Sequence, residues 1–150
     1  VLRNGWYTEN YTNLVPGAIR NGTFLGCAGN GKISGAARED YADAAVAVLV
    51  GKGHQGKTFE LAGDNPFTLS DLAAEISRQT GKNIPYKNLS EKEYAAALVN
   101  FGIPGGLAKV IAGWDTGASK NDLFDNSHQL SHLTGKPTTS LSVCVASSIK

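Results

Sequence analysis

Apolar and polar positions along this 150-residue chain change period several times, and each change predicts an element. Val1 and Leu2 followed by Arg3, Asn4 and Gly5 read as a strand end entering a turn, because Asn-Gly readily takes positive φ. Residues 6–11 are polar-aromatic and begin a short helix, which Pro16 ends by disfavouring helical geometry in the residue before it. Residues 23–25 and 32–34 flank a Gly-rich segment, a pattern for two short strands joined by a turn. Residues 37–50 form a helix with Glu39 and Asp40 in the first turn, where the macrodipole favours acids. Tyr41, Ala44, Ala45, Val48 and Leu49 recur there at helical spacing and predict one apolar face.

Residues 58–62 alternate as a strand. A helix over 70–80 follows, with Thr68 and Asp71 at capping-box spacing and Gly81 as its stop. Residues 84–87 are extended and, because of Pro85, placed at an edge or a strand start. Ser90 and Glu93 form a second capping box, opening a helix through Tyr94, Leu98 and Phe101 to Gly102. Residues 107–114 give a short helix, 113–120 are weakly patterned, and 123–125 form a loop or short strand. Residues 127–133 look helical, and 139–149 form a final helix of mixed quality.

Composition narrows this picture. Hydrophobic residues at 41% and charged residues at 18% describe one globular domain, neither disordered nor long enough for two. A net charge of +1 leaves no basic footprint for nucleic acid, and no run approaches the length of a membrane span. Cys27 and Cys144 show no metal-binding spacing and read as free buried thiols, the pattern of a reducing compartment and a cytoplasmic location.

Several candidate chemistries fail on their spacing. The Gly-rich segment at 26–31 has neither GxGxxG entering a helix nor GKS or GKT, so it is a turn and not a phosphate loop. His128 and His132 are four apart, but the HExxH acid is missing and no third ligand is evident. They read as surface or helix-terminal residues, and His54 as an exposed loop residue. No GxSxG elbow anchors a nucleophilic serine. Tyr94, Trp114 and Asp115 either line a pocket or pack in the core.

Arg38 is unusual at a helix start, where it either binds an anion or carbonyl group or pairs with Glu39 or Asp40. The loop RNGWYTENY offers rings for stacking and polar groups for hydrogen bonds at a strand's carboxyl end, where α/β sheets bind ligands. Its alternative role is a strand-to-helix connection whose aromatics cap the core.

In order and spacing, LRNGWYTENY, GKISGAAREDYADAAVAVL and GKTFELAGDNPFTLSDLAAEIS resemble the second half of the NmrA-like atypical short-chain dehydrogenases. NLSEKEYAAAL, GIPGGLA and GASKNDLFDNSHQLSHLTGKPTTSL extend the resemblance over essentially the whole chain. The resemblance implies an α/β fold: the C-terminal part of a Rossmann-type NAD(P)-binding fold with the smaller α/β substrate domain, the N-terminal nucleotide-binding half lying outside this sequence. The family's GxxGxxG loop is absent from these residues, as is the YxxxK pair of other short-chain dehydrogenases.

An NADPH-dependent oxidoreductase is implied, with NADH as alternative donor and a quinone or similar flat conjugated molecule as acceptor. By position, Gly5, Trp6, Tyr7, Thr8, Glu9 and Asn10 would line the nicotinamide site. Asn10 would be the polar contact nearest the reactive carbon, and Arg38 would face the cofactor or substrate cleft. No metal, membrane or nucleic-acid partner is implied, and the 150 residues alone are expected to be inactive. A homodimer stays open, as does a non-catalytic NAD(P)-sensing regulator.

Overall fold

A computed structural model describes residues 1–149. Strand β1 (Leu2–Asn4) runs parallel to β3 (Phe59–Leu61), with Leu2 opposite Phe59 and Asn4 opposite Leu61. Strand β2 (Phe24–Gly26) runs parallel to β4 (Tyr86–Asn88). Parallel partners need a long crossover, which the helices supply. Helices α1 (Glu9–Thr12), α2 (Val15–Asn21) and α3 (Arg38–Val50) precede β3, and α4 (Leu69–Thr80) precedes β4. Helices α5 (Glu91–Asn100), α6 (Gly105–Ser119), α7 (Gln129–Thr134) and α8 (Leu141–Ser148) follow. Parallel strands flanked by helices make this the α/β architecture of a Rossmann-type region, as the sequence implied.

Both capping boxes form. Thr68 Oγ1 accepts from the Asp71 amide at 3.1 Å while Asp71 Oδ2 accepts from the Thr68 amide at 2.8 Å. The Ser90 and Glu93 pair closes in the same way, at 3.3 and 2.9 Å. Each box satisfies two otherwise orphaned amides and fixes where its helix starts.

Four expectations need correction. Residues 23–25 and 32–34 do not pair with each other. β2 instead takes β4 as its partner, and Ile33 exchanges hydrogen bonds of 2.9 and 3.0 Å with Phe67. The Gly-rich segment between them packs against the end of α6, where a Cβ on Gly31 would lie 1.9 Å from the Ala118 oxygen. Pro16 starts a helix instead of ending one: it occupies the first turn of α2, where a missing amide hydrogen removes no bond.

The weakly patterned stretch after 113 continues α6 to Ser119, its buried row being Ala108, Ala112, Asp115 and Ala118. On α3, Leu49 is 83% exposed, whereas Asp40 is buried, held by the amide and hydroxyl of Thr139 at 3.0 and 2.9 Å.

The interior of the described residues has three clusters. The largest gathers Val15, Phe24, Ile33, Leu69, Leu72 and Ile76 among α2, β2 and α4. A second joins α5 to α6 through Tyr94, Leu98, Ala108 and Ala112. The third packs Tyr41 and Ala44 of α3 and Leu130 of α7 around Leu61 of β3. The loop after β1 lies between the first and third.

Candidate functional site

The loop leaving β1 is pinned by its backbone. The Gly5 amide donates to the Leu61 oxygen at 2.8 Å, extending the ladder past both strands. A Cβ on Gly5 would lie 2.8 Å from that oxygen, so the close approach requires glycine. Further on, the Ala36 amide donates to the Trp6 oxygen at 3.1 Å, and the Thr8 amide donates to the Ala36 oxygen at 2.9 Å. The loop is thereby tied to the start of α3.

This pinning sends its side chains two ways. Trp6 packs against Tyr11 at 5.9 Å and edge-on against Trp114 at 5.5 Å between ring centroids. Tyr7 turns toward α3, meeting Tyr41 edge-on at 5.1 Å, and the Arg38 guanidinium lies 5.3 Å over the Tyr7 ring. That contact is a cation–π arrangement. Thr8 is sealed beneath the loop.

Glu9 Oε1 accepts from the Arg38 amide at 2.9 Å, supplying an orphan amide of α3 with a partner, while Oε2 is buried with none. Asn10 is half-buried in α1, and its side chain makes no hydrogen bond among the described residues. Arg38 is exposed and forms no ion pair with Glu39 or Asp40 among the described residues.

A cavity of about 400 Å³ opens where β1 and β3 end, bounded by Gly5 and Trp6, by Leu61 and Ala62, and by Leu123 and Phe124. Ser34 also lines it and donates its hydroxyl to the Asp125 oxygen at 2.7 Å, holding that third wall in place. Of the expected site residues, Gly5 and Trp6 line this cavity. Tyr7 and Arg38 stand together on the α3 side, Thr8 lies beneath, and Glu9 and Asn10 lead into α1. One loop holds six of the seven, but they do not converge on one cavity.

Two shielded acids tie distant segments together: Asp115, which the sequence leaves between a pocket and the core, and Asp64, which spacing does not single out. Asp115 is 2% exposed; its Oδ1 accepts from the Tyr11 hydroxyl at 2.8 Å and its Oδ2 from the Cys27 amide at 2.9 Å. Burial pushes its carboxyl above the usual range, against the pull of those two donors. The bonds tie α6 to α1 and to the end of β2, fixing Tyr11 beside Trp6. An acid in a row otherwise of alanines was the available signal.

Asp64 follows β3. It accepts from Ser131 Oγ at 2.6 Å, from the Thr138 amide at 2.9 Å and from the Thr138 hydroxyl at 3.3 Å, and His128 Nδ1 lies 2.9 Å away. Burial pushes this carboxyl up as well, but the donors outweigh it and hold the group below its ordinary value. His128 is therefore engaged by a carboxylate, and the His132 ring stands 6.4 Å from it. His54 packs edge-on against Phe59 at 5.8 Å and is less exposed than its loop implied. No helix among the described residues is long and apolar enough to cross a membrane.

No family model matches the sequence. Over 146 residues it is 53% identical to quinone oxidoreductase 2 of Escherichia coli, a match covering 97% of this chain and 51% of that protein. The crystal structure of an NADPH-dependent quinone oxidoreductase from Escherichia coli complexed with NADPH superposes with a TM-score of 0.95 at 52% identity. That match covers 99% of this chain and 52% of the other. The chain belongs to the NmrA-like atypical short-chain dehydrogenases.

The Citrobacter triphenylmethane reductase complexed with NADP(H) is similar too, with a TM-score of 0.93 at 29% identity over 97% of this chain and 51% of that one. This NmrA-like chain thus spans about half the length of these relatives. The loop and its α3 neighbour leave three polar groups open to a ligand. Among the described residues Trp6 Nε1 is buried without an acceptor, the Asn10 side chain makes no hydrogen bond, and the Arg38 guanidinium faces solvent with no acid paired to it.

Proposed function

We propose that the protein containing this chain is an NADPH-dependent oxidoreductase that reduces quinones or similar flat conjugated acceptors. In this reading the chain is the C-terminal half of that protein. It supplies the acceptor side and one wall of the nicotinamide site. The observation that carries the reading is a polar-aromatic loop at the carboxyl ends of two parallel strands, in a chain 53% identical to a quinone oxidoreductase.

When bound, NADPH supplies the hydride. The residues of this chain bind and orient. Gly5 lets the backbone come close, and Trp6 offers an aromatic wall to a flat ring. Asn10 is the polar group we assign beside the reactive carbon, while Tyr7 and Arg38 form the outer rim, with Thr8 and Glu9 holding the loop to α3. Holding donor and acceptor face to face is the main contribution expected of such a site.

The free edge of β1 supports the half-protein reading, because it pairs with nothing among the described residues and parallel sheets are seldom two strands wide. We infer a cytoplasmic location from the two free, buried thiols. A homodimer is compatible with the reading, and sedimentation of the full-length protein decides it.

The test is consumption of NADPH by the full-length protein with benzoquinone as acceptor. Turnover is expected; tight NADPH binding without turnover would instead favour an NAD(P)-sensing regulator. Asn10→Ala should lower turnover about tenfold if Asn10 orients the reacting groups. Unchanged turnover would remove Asn10 from the site and leave the activity standing.

A further inference from the structure

A second cavity, of about 390 Å³, lies between α2 and α5, and none of residues 5–10 lines it. Its walls are largely apolar, including Leu14, Phe24, Leu98 and Ile103. Phe101 also belongs to the wall, yet it is 58% exposed, an aromatic ring left beside an opening.

Asn13, Asn21 and Thr23 add neutral polar groups to the lining, and Tyr94 and Arg20 give it a phenol and a charge. Tyr94 is 2% exposed and forms part of the wall, and its hydroxyl makes no hydrogen bond among the described residues. Burial, with the Asp115 carboxyl nearby, pushes the ionisation of Tyr94 upward, so the hydroxyl remains a donor.

Arg20 is the only charged residue lining the cavity, and it pairs with no carboxylate among the described residues. A Cβ on Gly17 would lie 3.9 Å from Arg20 Nη2, so the guanidinium folds back over a glycine that is itself part of the wall.

We propose that this cavity binds a small aromatic carboxylate bearing a second oxygen. The ring lies among Leu98, Phe101 and Ile103, the carboxylate meets Arg20, and the second oxygen accepts from Tyr94. The planar guanidinium fork matches a carboxylate, and no acid in the lining competes for it. The volume lies within the range of small-molecule cavities. A neutral quinone would leave Arg20 unpaired.

The test titrates para-hydroxybenzoate into the full-length, isotope-labelled protein and follows backbone amide shifts, with benzoate and para-hydroxybenzamide as comparisons. Saturable shifts are expected at Leu14, Gly17 and Leu98, with the neutral amide binding more weakly than the acid. Arg20→Gln, at an exposed position, should weaken para-hydroxybenzoate about fivefold, the usual scale for one charge-assisted contact. Tyr94→Phe keeps the ring and should erase the advantage of para-hydroxybenzoate over benzoate. Absence of saturation, shifts centred on the loop after β1, or equal affinity in both variants would overturn the proposal.

Discussion

Asp115 on α6 and Asp64 after β3 are both shielded carboxylates that tie distant segments together, yet they sit on opposite sides of the ordinary carboxylate range. Asp115 has two donors, the Tyr11 hydroxyl and the Cys27 amide, and burial wins. Asp64 has Ser131, both donors of Thr138, and His128; there the donors win over burial. Both regions therefore obey one rule: each donor stabilises the ionised form, and the donors together must offset a loss of hydration that grows with depth of burial, deeper at Asp115 than at Asp64. The difference also separates their roles. Asp64 clasps α7 and the segment after it to β3, whereas Asp115 sits under the aromatic group formed by Trp6, Tyr11 and Trp114.

Breaking the Asp115 side should have the largest effect. Asp115→Ala leaves the Cys27 amide and the Tyr11 hydroxyl without their acceptor in the interior, a loss of about 3 kcal/mol. Urea unfolding of the full-length protein measures it, and a loss below about 1 kcal/mol would mean that the two donors find new partners. Asp64→Ala should cost less, about 2 kcal/mol, because its site is less deeply buried and water can replace part of the network. If Asp64→Ala proved the more damaging, the number of bonds would outweigh depth of burial.

Much of the scaffold was legible because it rests on local chemistry. The Thr68–Asp71 and Ser90–Glu93 boxes each join residues three apart, so spacing alone reveals them. The parallel pairs were less accessible. Phe24 meets Tyr86 across sixty-two positions, and nothing local to 23–34 announces that partner, so the nearer segment at 32–34 looked adequate. Pro16 was misread because the same residue that ends one helix is well placed to begin another.

At the site, the loop itself was visible from its polar-aromatic density. Its division was not, since it depends on the Ala36 bridge that turns Tyr7 toward Arg38 and leaves Trp6 beside Trp114. The role of Asp115 likewise depends on two donors far away in sequence.

The opposite shifts also predict opposite responses to pH. Asp115 has a folded pKa above its unfolded value, so within that interval the folded state holds a proton that the unfolded state has released. Its contribution is full below the unfolded pKa, near 3.8, and declines as pH rises through the folded value. Asp64 has a folded pKa below its unfolded value. Its contribution is full above the unfolded pKa, also near 3.8, and is lost as pH falls through the folded value. Asp115→Asn should therefore flatten the decline on the side above the unfolded pKa, and Asp64→Asn the loss on the side below it. Urea unfolding repeated across both windows separates them, and variants that altered the same window would contradict the opposing shifts.

The smallest expected effect refines the Asp64 side alone. His128 adopts a φ of 55°, helical but left-handed, and its side chain is 47% exposed while touching Asp64. Side chains with a Cβ rarely adopt that backbone, so His128 is held there by what surrounds it. The contact is open to solvent on the His128 side and should contribute only a few tenths of a kcal/mol. His128→Gln should then change stability by about 0.3 kcal/mol. His128→Gly should stabilise in comparison with His128→Gln, because glycine accepts positive φ without strain. If the glutamine variant lost as much stability as Asp64→Ala, His128 would be the dominant member of the clasp, and the Ser131 and Thr138 donors would be secondary.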